Sequence, residues 1–257
     1  MKIISLGLGV QSTALYFMSS LGKIDRADYA IFSDPGAELP RTYEILELLK
    51  DWQKENSGIP IVTVSKNLYE DLINHKNSSG NRWASIPAFS ENSGIIRRQC
   101  TSEYKIRPIV KKIRELRGIE KHKHLPHTEL MLGISIDEIE RVKTSQMSRI
   151  EYLYPLIDAR LNRSDCIAYI QSIGFPVPPK SSCVFCPYHS SRQWTSIKYN
   201  DKESWNKVLK VDKAIRNIAG RKLKEKLFLH PARKPIDEIE FLDQQELFMC
   251  EEGFCGV

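Results

Sequence analysis

No run of about 18 consecutive apolar residues occurs in the chain, so it offers no transmembrane helix. A secretory leader is missing as well: Met1-Lys2 runs straight into Ile3-Ile4, and the expectation is a cytoplasmic protein with no membrane partner. Internal repeats and low-complexity tracts are absent. With 41% hydrophobic and 27% charged residues over 257 positions, the composition excludes a disordered chain and suits one large α/β domain with a small appendage. Cysteine is scarce, at Cys100, Cys166, Cys183, Cys186, Cys250 and Cys255. In a reducing compartment these are expected to be free, metal-bound or catalytic rather than disulfide-bonded.

The charge excess is small, +6, and its basic residues gather in Arg97–Lys123 and Lys198–Lys234. That pattern suits an anionic ligand, a nucleotide or nucleic acid, although Lys-rich solvated helix faces account for part of it.

What is present is an alternation of strands and helices. Lys2–Ser5, Tyr29–Ser33 and Ile59–Val64 read as strands, Ser12–Leu21 and Thr42–Asn56 as helices, and Asn67–Asn74 as a short helix. His75–Gly94 reads as a polar loop, Ser102–Leu116 as a helix interrupted by Pro108, and Glu129–Ile134 and Glu151–Tyr154 as strands. Ser164–Ile173 reads as a helix with Ser164 as N-cap. Such alternation predicts an α/β fold with a doubly wound, mostly parallel sheet. From Pro176 the pattern changes to an irregular Pro/Cys segment, a basic helical stretch over Arg192–Lys226 and an acidic tail. The expected division is a nucleotide-binding domain, 1–175, and a small helical, cysteine-containing C-terminal subdomain, 176–257.

The first strand ends in Gly7-Leu-Gly9-Val-Gln11-Ser12-Thr13 and runs into a helix. Glycines let the backbone turn tightly and approach a ligand, and the N–H groups and dipole at a helix start favour an anion. Neither common phosphate loop is reproduced: the third Rossmann glycine position is Ser12, and the Lys-Ser/Thr ending of the P-loop is missing. On spacing alone, phosphate binding and an ordinary strand-to-helix turn both remain open.

Taken with Asp34-Pro-Gly-Ala-Glu38-Leu-Pro-Arg-Thr-Tyr43, Arg98-Gln-Cys100-Thr with Lys105 and Pro108, and Gly133-Ile-Ser-Ile-Asp-Glu138 with Arg141, this loop resembles the adenine-nucleotide α-hydrolase superfamily. The nearest likeness is to phosphoadenylyl-sulfate (PAPS) reductase-like proteins, including smaller members carried by phages and mobile elements. The family's pyrophosphate loop is usually Ser-Gly-Gly-x-Asp-Ser-Ser/Thr; here Gly7, Leu8 and Gln11 replace Ser, Gly and Asp. The resemblance implies an adenine nucleotide, ATP or phosphoadenylyl-sulfate, held by Gly7, Gly9, Gln11, Ser12, Thr13, Asp34 and Gly133. Lys105 and Arg141 are then expected to stabilise charge growing on phosphate oxygens. Asp34 would orient ribose, base or Mg²⁺, with a plain turn cap as the alternative. Replacing the loop Asp by Gln11 puts Mg²⁺ dependence in question.

Cys183-Val-Phe-Cys186 has the CxxC spacing used for zinc and for iron–sulfur clusters. A single cysteine followed by CxxC resembles the adenylyl-sulfate reductases, which bind a [4Fe–4S] cluster. That likeness implies Cys100, Cys183, Cys186 and Cys250 as ligands and Cys255 as a mobile catalytic thiol, with the roles of Cys250 and Cys255 open to exchange and a zinc site as the rival. Cys166, inside a helix, reads as a small buried hydrophobe. His122, His124 and His127 lie in a Lys/His/Pro segment that fits either metal ligation or an exposed loop, and His189 stands close to the CxxC.

The reaction implied is thiol-dependent reduction of an adenylylated sulfate with a thiol reductant as partner, or sulfur transfer from a donor protein. The alternatives are ATP-dependent adenylylation and thiolation of a nucleic acid, and a non-catalytic zinc-stabilised nucleotide-binding module. A homodimer is compatible with any of these.

Overall fold

The computed structural model describes residues 1–80, 83–92, 94–216 and 225–241. In chain order its elements are β1 (Lys2–Ser5), α1 (Val10–Ser20), β2 (Tyr29–Asp34), α2 (Pro40–Glu55), β3 (Ile61–Ser65), α3 (Leu68–Ile73), β4 (Phe89–Ser90) and β5 (Gly94–Ile95). There follow α4 (Arg107–Leu116), β6 (Thr128–Leu132), β7 (Ile150–Leu153), α5 (Pro155–Asp158), α6 (Arg163–Ser172), α7 (Ser191–Asn200), α8 (Lys202–Arg216) and β8 (Leu227–Phe228). The chain forms two compact units, each discontinuous in sequence. The first comprises Met1–Asp34, Pro40–Ser65 and Ile106–Ser181; the second comprises Pro35–Leu39, Lys66–Lys105 and the described residues from Ser182 onward.

The first unit is built on a five-stranded parallel sheet of order β3-β2-β1-β6-β7. Its central strands are largely apolar on both faces because both are covered. Ile4, Ala30, Phe32 and Met131 pack with residues of α1, α2, α5 and α6, whereas Ile3, Ile31, Leu130 and Ile150 pack with Ile109 and Ile113 of α4. The period of two along each strand thus sends neighbouring residues into two separate cores. Strands β2 and β3 extend the sheet to one side of β1, and the chain then returns to lay β6 on the other side. The resulting switch point between β1 and β6 is where open α/β sheets receive ligands, outside the carboxyl ends of the strands.

The second unit holds α3, a three-stranded antiparallel sheet of order β5-β4-β8, a π-helical turn at Thr101–Ile106, α7 and α8. Its core includes Trp194, Tyr104, Phe185, Val208 and Leu229, all with at most 2% exposure. Trp205 packs against that core, as its spacing along a helix suggests. Buried Asp212 accepts hydrogen bonds from the N–H groups of Leu229 and Ile236 and pairs with Arg216 at 3.0 Å, tying the chain after β8 to α8.

Local differences from the sequence reading have identifiable causes. The N-cap of α6 is Asn162 rather than Ser164: Asn162 and Asp165 form a reciprocal capping box, which satisfies two orphan N–H groups at once. Helical backbone runs from the π-helical turn Thr101–Ile106 directly into α4, and Pro108, lacking an N–H, stands where it changes from π to α. The basic helical stretch divides at Asp201, whose Oδ1 accepts from Ser204 N–H and caps α8. The His75–Gly94 stretch contains β4 and the start of β5.

Candidate functional site

At the carboxyl end of β1 the turn enters α1 at Gly9, which occupies the N-cap with no capping side-chain hydrogen bond. The first turn of α1 carries no acidic residue, so nothing from its own sequence neutralises the positive end of the dipole. Gly7 and Gly9 both have ordinary negative φ, and the left-handed residue is Leu8 between them, at φ 58°. A Cβ at Gly7 would meet only Ser12 Oγ at 3.6 Å, and one at Gly9 would meet Ser181 at 4.0 Å. The two glycines therefore leave open backbone, while Leu8 accepts a conformation that glycine adopts more readily. Leu8 is fully buried in the core beside α1, which holds it there.

The side chains after Gly9 are less available than their sequence suggests. Thr13 Oγ1 is buried without a hydrogen-bond partner, and Ser12 Oγ donates to Gly9 O at 3.2 Å. Gln11, 7% exposed, receives Arg163 Nη1 on Oε1 at 3.0 Å and donates through Nε2 to Ser135 Oγ at 3.4 Å. One amide thus joins the first turn of α1, the loop after β6 and the start of α6. A carboxylate at position 11 would neutralise Arg163; the neutral amide leaves its charge in place.

Gly133 has a different role from the loop glycines. A Cβ there would fall 2.7 Å from both N and Cα of Ser12, so only glycine lets the loop after β6 pack on the start of α1. Beyond it, Arg141 pairs with buried Glu138 at 2.6 Å. Burial raises the Glu138 carboxyl above its ordinary range even though Arg141 pulls it down. Asp34, at the end of β2, accepts a hydrogen bond from Tyr43 OH at 2.9 Å, joining two residues of the same sequence motif.

Lys105 belongs to the second unit, together with Cys100, Cys183 and Cys186. Ala37–Leu39 and Ser182–Val184 run antiparallel, with Glu38 directly opposite Cys183. The Glu38 side chain is fully buried and meets Lys105 Nζ at 2.8 Å. Burial lowers the lysine value, but Glu38 and the neighbouring thiols of Cys183 and Cys100 outweigh it and hold Lys105 above the ordinary lysine range. The thiols themselves are pushed up: burial acts most strongly on both Cys183 and Cys100, with Lys105 opposing it.

The CxxC forms a turn closed by Cys186 N–H to Cys183 O at 2.9 Å, followed by His189 N–H to Cys186 O at 3.1 Å. The His189 ring reaches back to Cys183 O at 2.9 Å and stands edge-on to Trp194. This turn brings the two residues of the CxxC pair close together along the chain. No disulfide occurs among the described cysteines, and Cys166 is wholly buried, its thiol raised by burial to about 12. Cys250 and Cys255, named as cluster ligand and mobile thiol, lie outside the described residues. Among the described residues, the three-ligand group whose atoms all lie within 4.8 Å of one another is His127, Glu129 and Glu151, not the cysteines.

Glu38, Arg163 and Ser135 were not legible as site residues. Arg163 carries no motif, and Glu38 acquires its position only through pairing with Cys183 and Lys105. No protein-family model matches the chain, and no curated protein matches it in sequence. None of the described helices is long and apolar enough to cross a membrane.

Proposed function

We propose that the chain is a PAPS reductase-like enzyme that binds the phosphates of an adenine nucleotide at the β1–α1 turn and uses cysteine chemistry for sulfur reduction or transfer. The observation that carries this reading is the uncapped start of α1 at the β1/β6 switch point, with open backbone at Gly7 and Gly9. In this reading the N–H groups of the first turn bind phosphate oxygens and Arg163, oriented by Gln11, supplies positive charge. Asp34 and Tyr43 orient the nucleoside, and Gly133 keeps the loop after β6 against the phosphate turn.

In this reading Cys100, Cys183 and Cys186, which belong to the same unit, supply three ligands of an iron–sulfur cluster, the fourth coming from Cys250 or Cys255. Such a cluster, when bound, would supply an iron centre able to exchange electrons. Lys105 balances negative charge that gathers as the thiols deprotonate, and Glu38 keeps the ammonium in place. The remaining terminal cysteine attacks the sulfur of a nucleotidyl sulfate. The S–S bond forms as the sulfur–oxygen bond to the nucleotide breaks, and a dithiol reductant then releases sulfite and is oxidised to its disulfide.

Three measurements test this reading. Calorimetric titration with ATP and with phosphoadenylyl-sulfate is expected to show one site per chain, and binding of neither refutes the phosphate turn. Anaerobically purified protein is expected to carry iron and sulfide and to absorb near about 400 nm; stoichiometric zinc in a colourless protein refutes the cluster. Sulfite release from phosphoadenylyl-sulfate supports reduction, whereas pyrophosphate release from ATP replaces it by adenylylation ahead of sulfur transfer.

A further inference from the structure

We propose that His127, Glu129 and Glu151 form a binding site for a first-row divalent cation at the amino end of β6 and β7, the edge of the sheet opposite the phosphate turn. His127 immediately precedes β6 and Glu129 is the second residue of that strand, two positions on, so the alternation of the chain turns both to one face. Glu151 of β7 is the direct register partner of Glu129, which places its side chain on that face beside both. Each residue offers one ligand atom, and the three atoms lie within 4.8 Å of one another, with His127 Nε2 3.3 Å from Glu151 Oε2. A cation about 2.0–2.2 Å from each ligand needs those atoms roughly 3–3.5 Å apart, a closure that small rotations of half-exposed side chains supply.

The surroundings favour a cation over an ordinary surface cluster. Two glutamates directly opposite on neighbouring strands repel each other, an arrangement sheets normally avoid. Lys2, the register partner of Glu129 on β1, answers that repulsion only in part: its ammonium stands 3.7 Å from Glu129, while its closer partner is Asp25. The backbone beneath the ligands is fixed. Arg117 Nη2 donates to His127 O at 3.0 Å, Thr128 N–H to Arg149 O at 2.9 Å, and Glu129 N–H to Met1 O at 2.9 Å. One imidazole nitrogen and two carboxylates select manganese, iron, cobalt, nickel or zinc over calcium or magnesium, with water completing the coordination. No residue of the phosphate turn or the cysteine group takes part, so this site stands or falls independently of the nucleotide reading.

Cobalt(II) titration of the full chain, followed by proton NMR, separates this site from the thiols, since only a ligating imidazole gives strongly shifted ring resonances. One such set is expected. It should vanish in His127→Ala, and its cobalt affinity should fall about tenfold or more in Glu151→Gln. Lys2→Met should tighten binding several-fold, because it removes a positive charge next to Glu129. His127 and Glu151 side chains are each 57% exposed, so these variants keep the fold, which circular dichroism checks. No shifted set, a set that survives in His127→Ala, or unchanged affinity in both Glu151→Gln and Lys2→Met would overturn the site.

Discussion

Replacing Leu8 by alanine and by glycine makes opposite demands on the same turn. Leu8 has no exposed surface and φ 58°, so both variants lose the same kind of buried packing, while only glycine is at ease in the left-handed region. Truncating a buried leucine to alanine costs about 3–5 kcal/mol, and Leu8→Ala keeps the left-handed penalty. Leu8→Gly leaves a cavity larger by one methyl and gains unfolded-state entropy, together worth about 1 kcal/mol or more, but it removes a backbone strain of about 1–2 kcal/mol. At a buried site with ordinary φ, where no strain is relieved, glycine is the worse substitution by that full amount, about 1 kcal/mol or more. Here the two are expected to be equal, or glycine the better by up to about 1 kcal/mol. Urea unfolding of both variants, followed by tryptophan fluorescence, measures the difference directly through the midpoints. Leu8→Gly less stable than Leu8→Ala by 1 kcal/mol or more would refute the claim that a buried side chain holds this turn in a glycine-like conformation; about 1 kcal/mol is the size of effect the method resolves.

Gln11→Asp is expected to weaken nucleotide binding about ten- to hundredfold, since a carboxylate about 5 Å from a phosphate costs about 1–3 kcal/mol and also neutralises Arg163; calorimetry with ATP reads it. Glu138 has a raised native value, so its contribution to stability is complete below its unfolded value of about 4.5 and is lost as pH rises through the native one. Between those two values wild type should lose stability with rising pH more steeply than Glu138→Gln, and parallel urea midpoints across that range would count against this. In protein stripped of metal, Cys166, wholly buried where the other described cysteines are partly exposed, should be the last of them alkylated by iodoacetamide at pH 8, as followed by mass spectrometry. Early modification of Cys166 would show that the α1–α6 core opens. Glu38→Gln should leave Lys105 without its buried counter-charge and change the metal content of the cysteine group, measured after anaerobic purification; unchanged content would show that the pair acts elsewhere.

The elements of the parallel sheet were legible because the strands are short, mostly apolar runs set between longer helical stretches and turn residues, all local properties. The turn after β1 was legible for the same reason, as glycines and hydroxyls crowded between a strand and a helix. Local pattern failed where caps compete: Asn162 and Ser164 are both good N-caps, and only the reciprocal partner Asp165 decides between them. It failed also where the chain divides its labour. Asp34-Pro-Gly-Ala-Glu38 reads as one motif, yet Asp34 belongs to the sheet and Glu38 to the unit of the cysteines.

Residues within a few positions of one another are enough to encode the α/β alternation, the glycine-flanked turn at the end of β1 and the close spacing of the CxxC pair. Tertiary structure alone decided that Leu8 takes the left-handed position, that Gln11 spends its amide on Arg163 and Ser135, and that Glu38 meets Lys105 and Cys183. It also set Glu129 against Glu151. These pairings join residues up to 152 positions apart, and what selects them is burial and strand register, which no local pattern encodes.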